Sequence, residues 1–376
     1  MQSFIQFNCY FKRLMSMKKH LTITLCLLMT VGMLYAQGSE NKVQKFKSAF
    51  QSEAFKLSGY GQAVYNLTEH PERSVSSETV NNTFSIARAF LFVTGKLGAN
   101  NQFGYMLMYD FGPTSKLYEF YGEWLPKKSI GLRFGQYKVP FTIENPISLA
   151  RIETINGSRL VAAMSGGTGD YNQYDANATV GKSGRDIGLQ LYGTLFPEKD
   201  FYRIEYYTGL FNGSGFNVKD NNNHKNFLAT VYAYPLKEFR FGGSIYSGKY
   251  PPYMAAANRL GSDTLTSFKW TLGAEYKGSK LYSRAEYIAA KDGNVKRNGY
   301  YGLLMYKFVP NQWEALVKYD YYNRNTQIKD NILTDLTVGV NYYFAPMSRI
   351  QLNYIYSDNK LDGCNNALVA QLQVYF

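Results

Sequence analysis

Apolar and polar residues alternate along most of this chain in segments of about ten residues, broken by short polar turns. The alternation has the period of a β-strand, whose successive side chains point to opposite faces. It predicts sixteen strands, at 55–67, 83–97, 102–111, 115–124, 130–137, 185–196, 201–212, 226–234, 239–248, 268–277, 280–290, 298–308, 312–323, 332–345, 348–357 and 366–376. Connections after even-numbered segments are tight, such as "GANN" (98–101), "PEKD" (197–200) and "APM" (345–347). Those after odd-numbered segments are mostly longer and polar, among them 68–82, 138–184, 213–225, 249–267 and 358–365. Tight turns at one rim and long loops at the other are the asymmetry of an outer-membrane barrel, and ten residues suffice for a tilted strand to cross a bilayer.

The two faces separate cleanly. Leu368, Ala370, Leu372, Val374 and Phe376 share one face of the last strand, and Gln371, Gln373 and Tyr375 the other. Ile130, Leu132 and Phe134 oppose Arg133, while Ile187, Leu189 and Leu191 oppose Asp186 and Gln190. A charge facing the bilayer midplane costs roughly 2–4 kcal/mol, so the charged face must look into a lumen. That face carries Arg88, Lys96, Arg133, Arg203, Arg284 and Lys318. It also carries Asp110, Glu119, Glu123, Asp186, Glu205, Glu286, Glu314, Asp320 and Asp335, which makes a wall of mixed sign. Trp124, Trp270, Trp313, Tyr342 and Tyr343 are expected in the aromatic girdles at the two interfaces.

Composition agrees with one lipid face and one wet face. Tyr and Phe number 34 and 25, charged residues are 18%, and mean hydropathy is only −0.31. At the N-terminus, "MKKHLTITLCLLMTVGMLYAQG" has the basic start, apolar core and small residue of an export signal. Residues 1–37 are therefore expected to be a signal peptide whose true start is Met17, and 38–54 a short periplasmic leader or helix. Without Lys12, Arg13, Lys18 and Lys19 the formal charge falls from +13 to +9. Cys364 is then the only thiol, so a disulfide framework is excluded and closure of the barrel must hold the fold.

The rhythm breaks at "GQYKVPFTIENPISLARIETINGSRLVAA" (135–163). A loop as long as 138–184 needs a fold or a function of its own. Folding into the lumen of a sixteen-stranded barrel, which is otherwise a wide aqueous channel, supplies both.

"LRFGQYKVPFTIEN" (132–145), "SIARAFLFVTGKL" (85–97) and "YTGLFNGSG" (207–215) resemble the phosphate-selective porin O and P family. The resemblance implies an all-β fold: a 16-stranded antiparallel transmembrane β-barrel over 55–376, with an infolded constriction loop at 138–184. It implies a homotrimer in the bacterial outer membrane, passing small hydrophilic solutes and favouring anions such as phosphate. Lys138, Arg151 and Arg159 fall in the matching loop, and the resemblance gives them the constriction. An apolar-alternating last strand ending in Phe376 resembles the signal such barrels show to the barrel-insertion machinery. Outer-membrane lipid is the remaining expected partner. The rival reading is a structural or surface-binding barrel with a plugged lumen.

Other chemistry finds little support. With residues 1–37 set aside, His70 and His224 remain, both in loops, and they form neither a catalytic set nor a metal site. No cofactor is implied. "SGGTGD" (165–170) lacks the Lys-Ser/Thr of a phosphate-binding loop. The basic excess is not gathered into a nucleic-acid patch.

Overall fold

The computed structural model describes residues 52–69, 80–113, 115–165, 184–215, 217–220, 222–250, 265–359 and 363–376. The expected signal peptide, most of the leader, His70 and "GGTGD" lie outside these residues. Sixteen strands follow in chain order. They are β1 (Lys56–Glu69), β2 (Val80–Leu97), β3 (Phe103–Asp110), β4 (Lys116–Lys127), β5 (Ile130–Lys138), β6 (Arg185–Pro197), β7 (Tyr202–Phe211) and β8 (Asn226–Leu236). Then come β9 (Phe239–Tyr250), β10 (Leu265–Lys277), β11 (Leu281–Asp292), β12 (Val295–Val309), β13 (Trp313–Asn323), β14 (Ile332–Ala345), β15 (Ser348–Asn359) and β16 (Gly363–Tyr375). The described residues contain one helix, α1 (Arg159–Ser165).

Each strand pairs with its sequence neighbours, and β1 closes on β16 from Tyr60 opposite Tyr375 to Thr68 opposite Ala367. Phe376 extends the closure, its N–H donating to Gly59 O at 2.9 Å and its carbonyl accepting Gly59 N–H at 2.8 Å. No sheet edge is left open, which is what hydrocarbon demands of a β-structure.

The alternation read from the sequence is the alternation of the wall. In β11, Tyr282, Arg284, Glu286, Ile288, Ala290 and Asp292 are buried inward. Leu304, Val338, Leu352 and Leu372 face outward and are each about half exposed, as a lipid-covered surface is. Trp124, Trp270, Trp313 and Tyr342 also point out. Tyr343 does not: it follows Tyr342 on an alternating strand, so it faces the lumen, where its hydroxyl accepts from Arg349 at 3.1 Å. The loop asymmetry has exceptions on the long-loop side, a two-residue turn between β11 and β12 and a three-residue connection between β15 and β16.

Between β4 and β5 the backbones approach closely. Gly135 adopts φ 137°, and a Cβ there would sit 2.2 Å from Phe120 O. A side chain at this position must push the strands apart. We expect Gly135→Val to abolish the heat-modifiable, SDS-resistant form of the barrel. Gly122→Ala, whose Cβ meets nothing within 4 Å, should keep it. Equal gel mobility shifts for both variants would refute this.

Candidate functional site

After Lys138 the chain turns inward and runs across the lumen, and the residues of the "YKVPFTIEN" stretch make that turn. The carbonyl of Pro140 accepts from Thr230 Oγ1 of β8 at 2.6 Å. Ile143 N–H donates to Glu286 of β11 at 3.0 Å. Asn145 Nδ2 donates to Val139 O at 2.7 Å and to Gly184 O at 2.8 Å, drawing the two ends of the connection together. Val139 and Phe141 join an apolar cluster with Tyr137, Phe211, Leu228, Tyr246 and Ile288.

Further on, inward-facing wall side chains hold the backbone of the segment. Gln62 of β1 donates to Leu149 O at 3.3 Å, Gln373 of β16 to Ala150 O at 3.0 Å, and Arg349 of β15 to Ile152 O at 2.7 Å. Asn341 and Gln351 both donate to Glu153 O at 3.0 Å. Asn353 accepts from Ile155 N at 2.8 Å, and Lys318 of β13 donates to Asn156 O at 3.1 Å. The hydroxyl of Ser158, the residue before α1, bonds to Asp320. On α1, Leu160 fills the space beside Gly299 of β12, and Lys269 of β10 donates to Met164 O at 3.0 Å. The amide-rich inner rows of β14–β16 thus serve as backbone partners for a segment without a regular ladder.

One ion cluster ties the segment to the wall. Arg284 is buried and pairs with Glu144 at 2.8 Å and Glu153 at 2.9 Å, both from the segment. It also donates to Tyr282 Oη at 2.5 Å. Glu144 uses its other oxygen to accept Ser158 N–H at 2.6 Å, so one carboxylate fixes both a wall contact and the start of α1.

Between the segment and the wall, on the long-loop side, remains a cavity of about 700 Å³. Its charged lining is Arg88, Lys116, Lys138, Arg159, Arg185 and Lys318 against Glu144 and Asp335. Asn66, Thr68, Asn145, Ser158, Thr337, Ser357 and Asn365 add neutral polar groups. Both acids are already engaged, Glu144 by Arg284 and Asp335 by Arg159 at 2.6 Å. Lys138 donates to Ile147 O, and Arg88 to Gln62 Oε1 at 2.7 Å. Arg185 stacks on Tyr118 and pairs with Glu119 at 2.6 Å.

Toward the short turns the charges are matched instead. Arg133 pairs with Glu123 at 2.7 Å beneath Tyr121, Tyr137 and Tyr192. Arg240 lies 2.7 Å from Glu275 and 3.4 Å from Glu205. Arg203 pairs with Glu198 at the rim, where Lys96 is also exposed.

Of the three expected constriction residues, Lys138 and Arg159 line the cavity, and Arg151 is exposed outside that lining. By alternation Lys116 shares a face with Phe120 and Arg185 with Leu189, both outward, so the period alone does not place them at the cavity they line. The register supplies the missing signal by placing Arg185 opposite Lys138. Asp110 is buried and accepts from the N–H groups of Ala89 and Gly112, both at 2.9 Å, so it fixes a turn rather than facing solute. His224 lies exposed in the β7–β8 loop.

Residues 255–376 match the profile of the family described as phosphate-selective porin O and P. A comparison with curated proteins returns no match. Among solved structures, the anion-selective porin from Comamonas acidovorans is similar at 12% identity and TM-score 0.61, over 86% of this chain and 99% of that one. OmpT of Vibrio cholerae in its trimer form aligns at 14% identity and TM-score 0.60, over 86% of this chain and 100% of that one. The outer-membrane channel DcaP of Acinetobacter baumannii aligns at 12% identity and TM-score 0.57, over 87% and 99%. At these identities the likeness is one of fold. The closed sixteen-strand wall is the fold of these outer-membrane porins, and the last third of the chain matches the phosphate-selective porin O and P profile.

Proposed function

We propose that the protein is an outer-membrane channel for small solutes that favours anions, and that the preference is set in the long-loop half of the lumen. The observation that carries this is the sign of the cavity lining, six cations against two acids, with Arg159, Arg185 and Lys318 paired to Asp335, Glu119 and Asp320 and both Arg88 and Lys138 outside any ion pair of the described residues. The inward row as a whole is mixed in sign, as the sequence reads. The acids, however, are drawn into anchoring the infolded segment and into ion pairs near the short turns. Rings of Lys and Arg favour anions, and a narrow, low-dielectric passage concentrates their field. In this reading Lys138, Arg159, Arg88, Lys116, Arg185 and Lys318 form the filter, and Arg151 lies outside it. The solutes are small hydrophilic anions, phosphate among them, moving passively.

We also propose a homotrimer. The reading is supported by the trimer form of the Vibrio cholerae porin and by an outward apolar groove lined by Phe103, Phe120, Trp124, Leu132 and Phe134. Light scattering on the detergent-purified protein should give three copies per particle; a monomer mass would refute it.

The selectivity test is the reversal potential of the purified protein in a planar bilayer under a KCl gradient. Chloride should permeate severalfold better than potassium, more so at low salt, where screening is weakest. Neutralising Arg88, Lys116 and Lys138 together to Gln should bring the ratio toward one, while Arg151→Gln leaves it unchanged. A ratio of one in the wild type overturns the anion reading, and no conductance at all favours the plugged structural barrel.

Arg284 holds the infolded segment, so Arg284→Met leaves Glu144 and Glu153 buried without a counter-charge. Removing one member of such a group costs about 3–5 kcal/mol. The segment should come away from β11, raising single-channel conductance and current noise. Adding Glu144→Gln and Glu153→Gln removes the stranded charges and should restore quiet, smaller currents. Unchanged conductance in Arg284→Met would show that the segment does not narrow the channel.

A further inference from the structure

The shortest connection on the long-loop side lies between β11 and β12. It consists of Gly293, at φ 60°, and Asn294. The flanking pairs are Asp292 with Val295 and Lys291 with Lys296. Asp292 turns inward, where Ser267 and Arg297 bind it. Alternation therefore puts Lys291 and Lys296 on the outward face, directly opposite each other and both exposed. No carboxylate among the described residues pairs with either. Side chains opposed in this way have Cβ atoms about 4.5–5.5 Å apart, and like charges so placed destabilise the hairpin. The arrangement calls for an anion from outside the chain.

The surface below the pair has a definite order. One step toward the bilayer centre stand the small residues Ala289 and Asn298, opposite each other. The next step is Tyr287 opposite Tyr300, 36% and 46% exposed. Trp270 of β10 packs 5.3 Å from Tyr287, and Tyr321 of β13 stacks 5.1 Å from Tyr300. Leu304 and Val317 lie beyond, in the aliphatic band. Cations, a shallow gap, an aromatic girdle and then aliphatic surface match the parts of a membrane amphiphile taken from head to tail.

We propose that Lys291 and Lys296 bind the phosphate headgroup of an outer-leaflet lipid. Its neck crosses Ala289 and Asn298, and its chains lie against the tyrosine pair. The leaflet is the outer one because the long loops of such barrels face outward from the cell. Two ammonium groups donate charge-assisted hydrogen bonds to one phosphate, and basic residues at a membrane surface hold anionic lipid in this way. The site is on the opposite face of the wall from the cations of the lumen, so lipid binding and solute selectivity are separable.

Native mass spectrometry of the full-length protein in detergent tests this, with bis-phosphorylated lipid A and its phosphate-free analogue as probes. The wild type should retain the phosphorylated lipid about tenfold better. K291Q/K296Q should lower retention to the level of the phosphate-free analogue, and K291R/K296R should keep it, with heat-modifiable gel mobility showing both variants folded. Millimolar inorganic phosphate should not displace the lipid. Equal retention of the two lipids by the wild type, or full retention by folded K291Q/K296Q, overturns the site. Displacement by inorganic phosphate alone overturns the lipid as its ligand. Reversal potential should be the same in the wild type and K291Q/K296Q, whether or not the channel proves anion-selective.

Discussion

A strand in hydrocarbon has no water to satisfy its backbone, so every edge must be paired, and in this protein that requirement is met by closing β1 on β16. Much else follows from that closure. Sixteen tilted strands enclose more space than wall side chains alone can fill, unlike a barrel of eight. The inner face must then be polar enough for water or must pack against something. Here it does both: the apolar cluster around Tyr137, Phe141 and Ile288 packs on the infolded segment, while the side nearer β2 and β4 stays open and charged.

The infolded segment solves a backbone problem as well as a packing one. An irregular stretch inside a barrel has N–H and C=O groups with no ladder to join, and orphaned buried groups are costly. Gln62, Asn341, Gln351, Asn353 and Gln373 meet them from the wall. Amides suit this task because they donate and accept without adding charge. That explains why the inward rows of β14–β16 are so rich in Asn and Gln, a bias that a purely solvated lumen would not need.

Much of this was legible in the sequence because period-two alternation is a direct image of a two-sided wall. The strand bounds, the parity of the turns and the inward charges of β11 and β13 all come from it. What alternation cannot carry is anything set across the lumen. Arg284 reads as one more inward cation, and only the fold brings Glu144 and Glu153 to it from about 130 positions or more away in the chain. Tyr343 faces the lumen, as strict alternation after Tyr342 requires and aromatic enrichment at a strand end does not. Lys116 and Arg185 have the parity of the outward Phe120 and Leu189, so alternation points them away from the cavity they line at their strand ends. The motif around Gly135 was legible as an interruption, but its reason is steric: only the packed strands show Phe120 O where a Cβ would be.

The sign of the open cavity is a consequence of these same contacts. Acids and cations are mixed along the inward face, so a wall stripped of its segment would have little preference. Folding the segment in needs acceptors for its backbone N–H groups and hydroxyls, and counter-charges for Arg284. Glu286 and Asp320 meet the first need, and the segment's own Glu144 and Glu153 meet the second. Donors to its carbonyls include neutral amides and cations alike, Gln62, Gln373, Asn341 and Gln351 beside Lys138, Lys269, Lys318 and Arg349, while Arg88 and Lys116 line the cavity. Lys138 and Lys318 contribute one carbonyl contact each and still line it. If the proposed filter holds, selectivity and folding of the segment are therefore not independent traits of this barrel. A substitution that changes which carboxylates hold the segment also changes the charge that solutes meet.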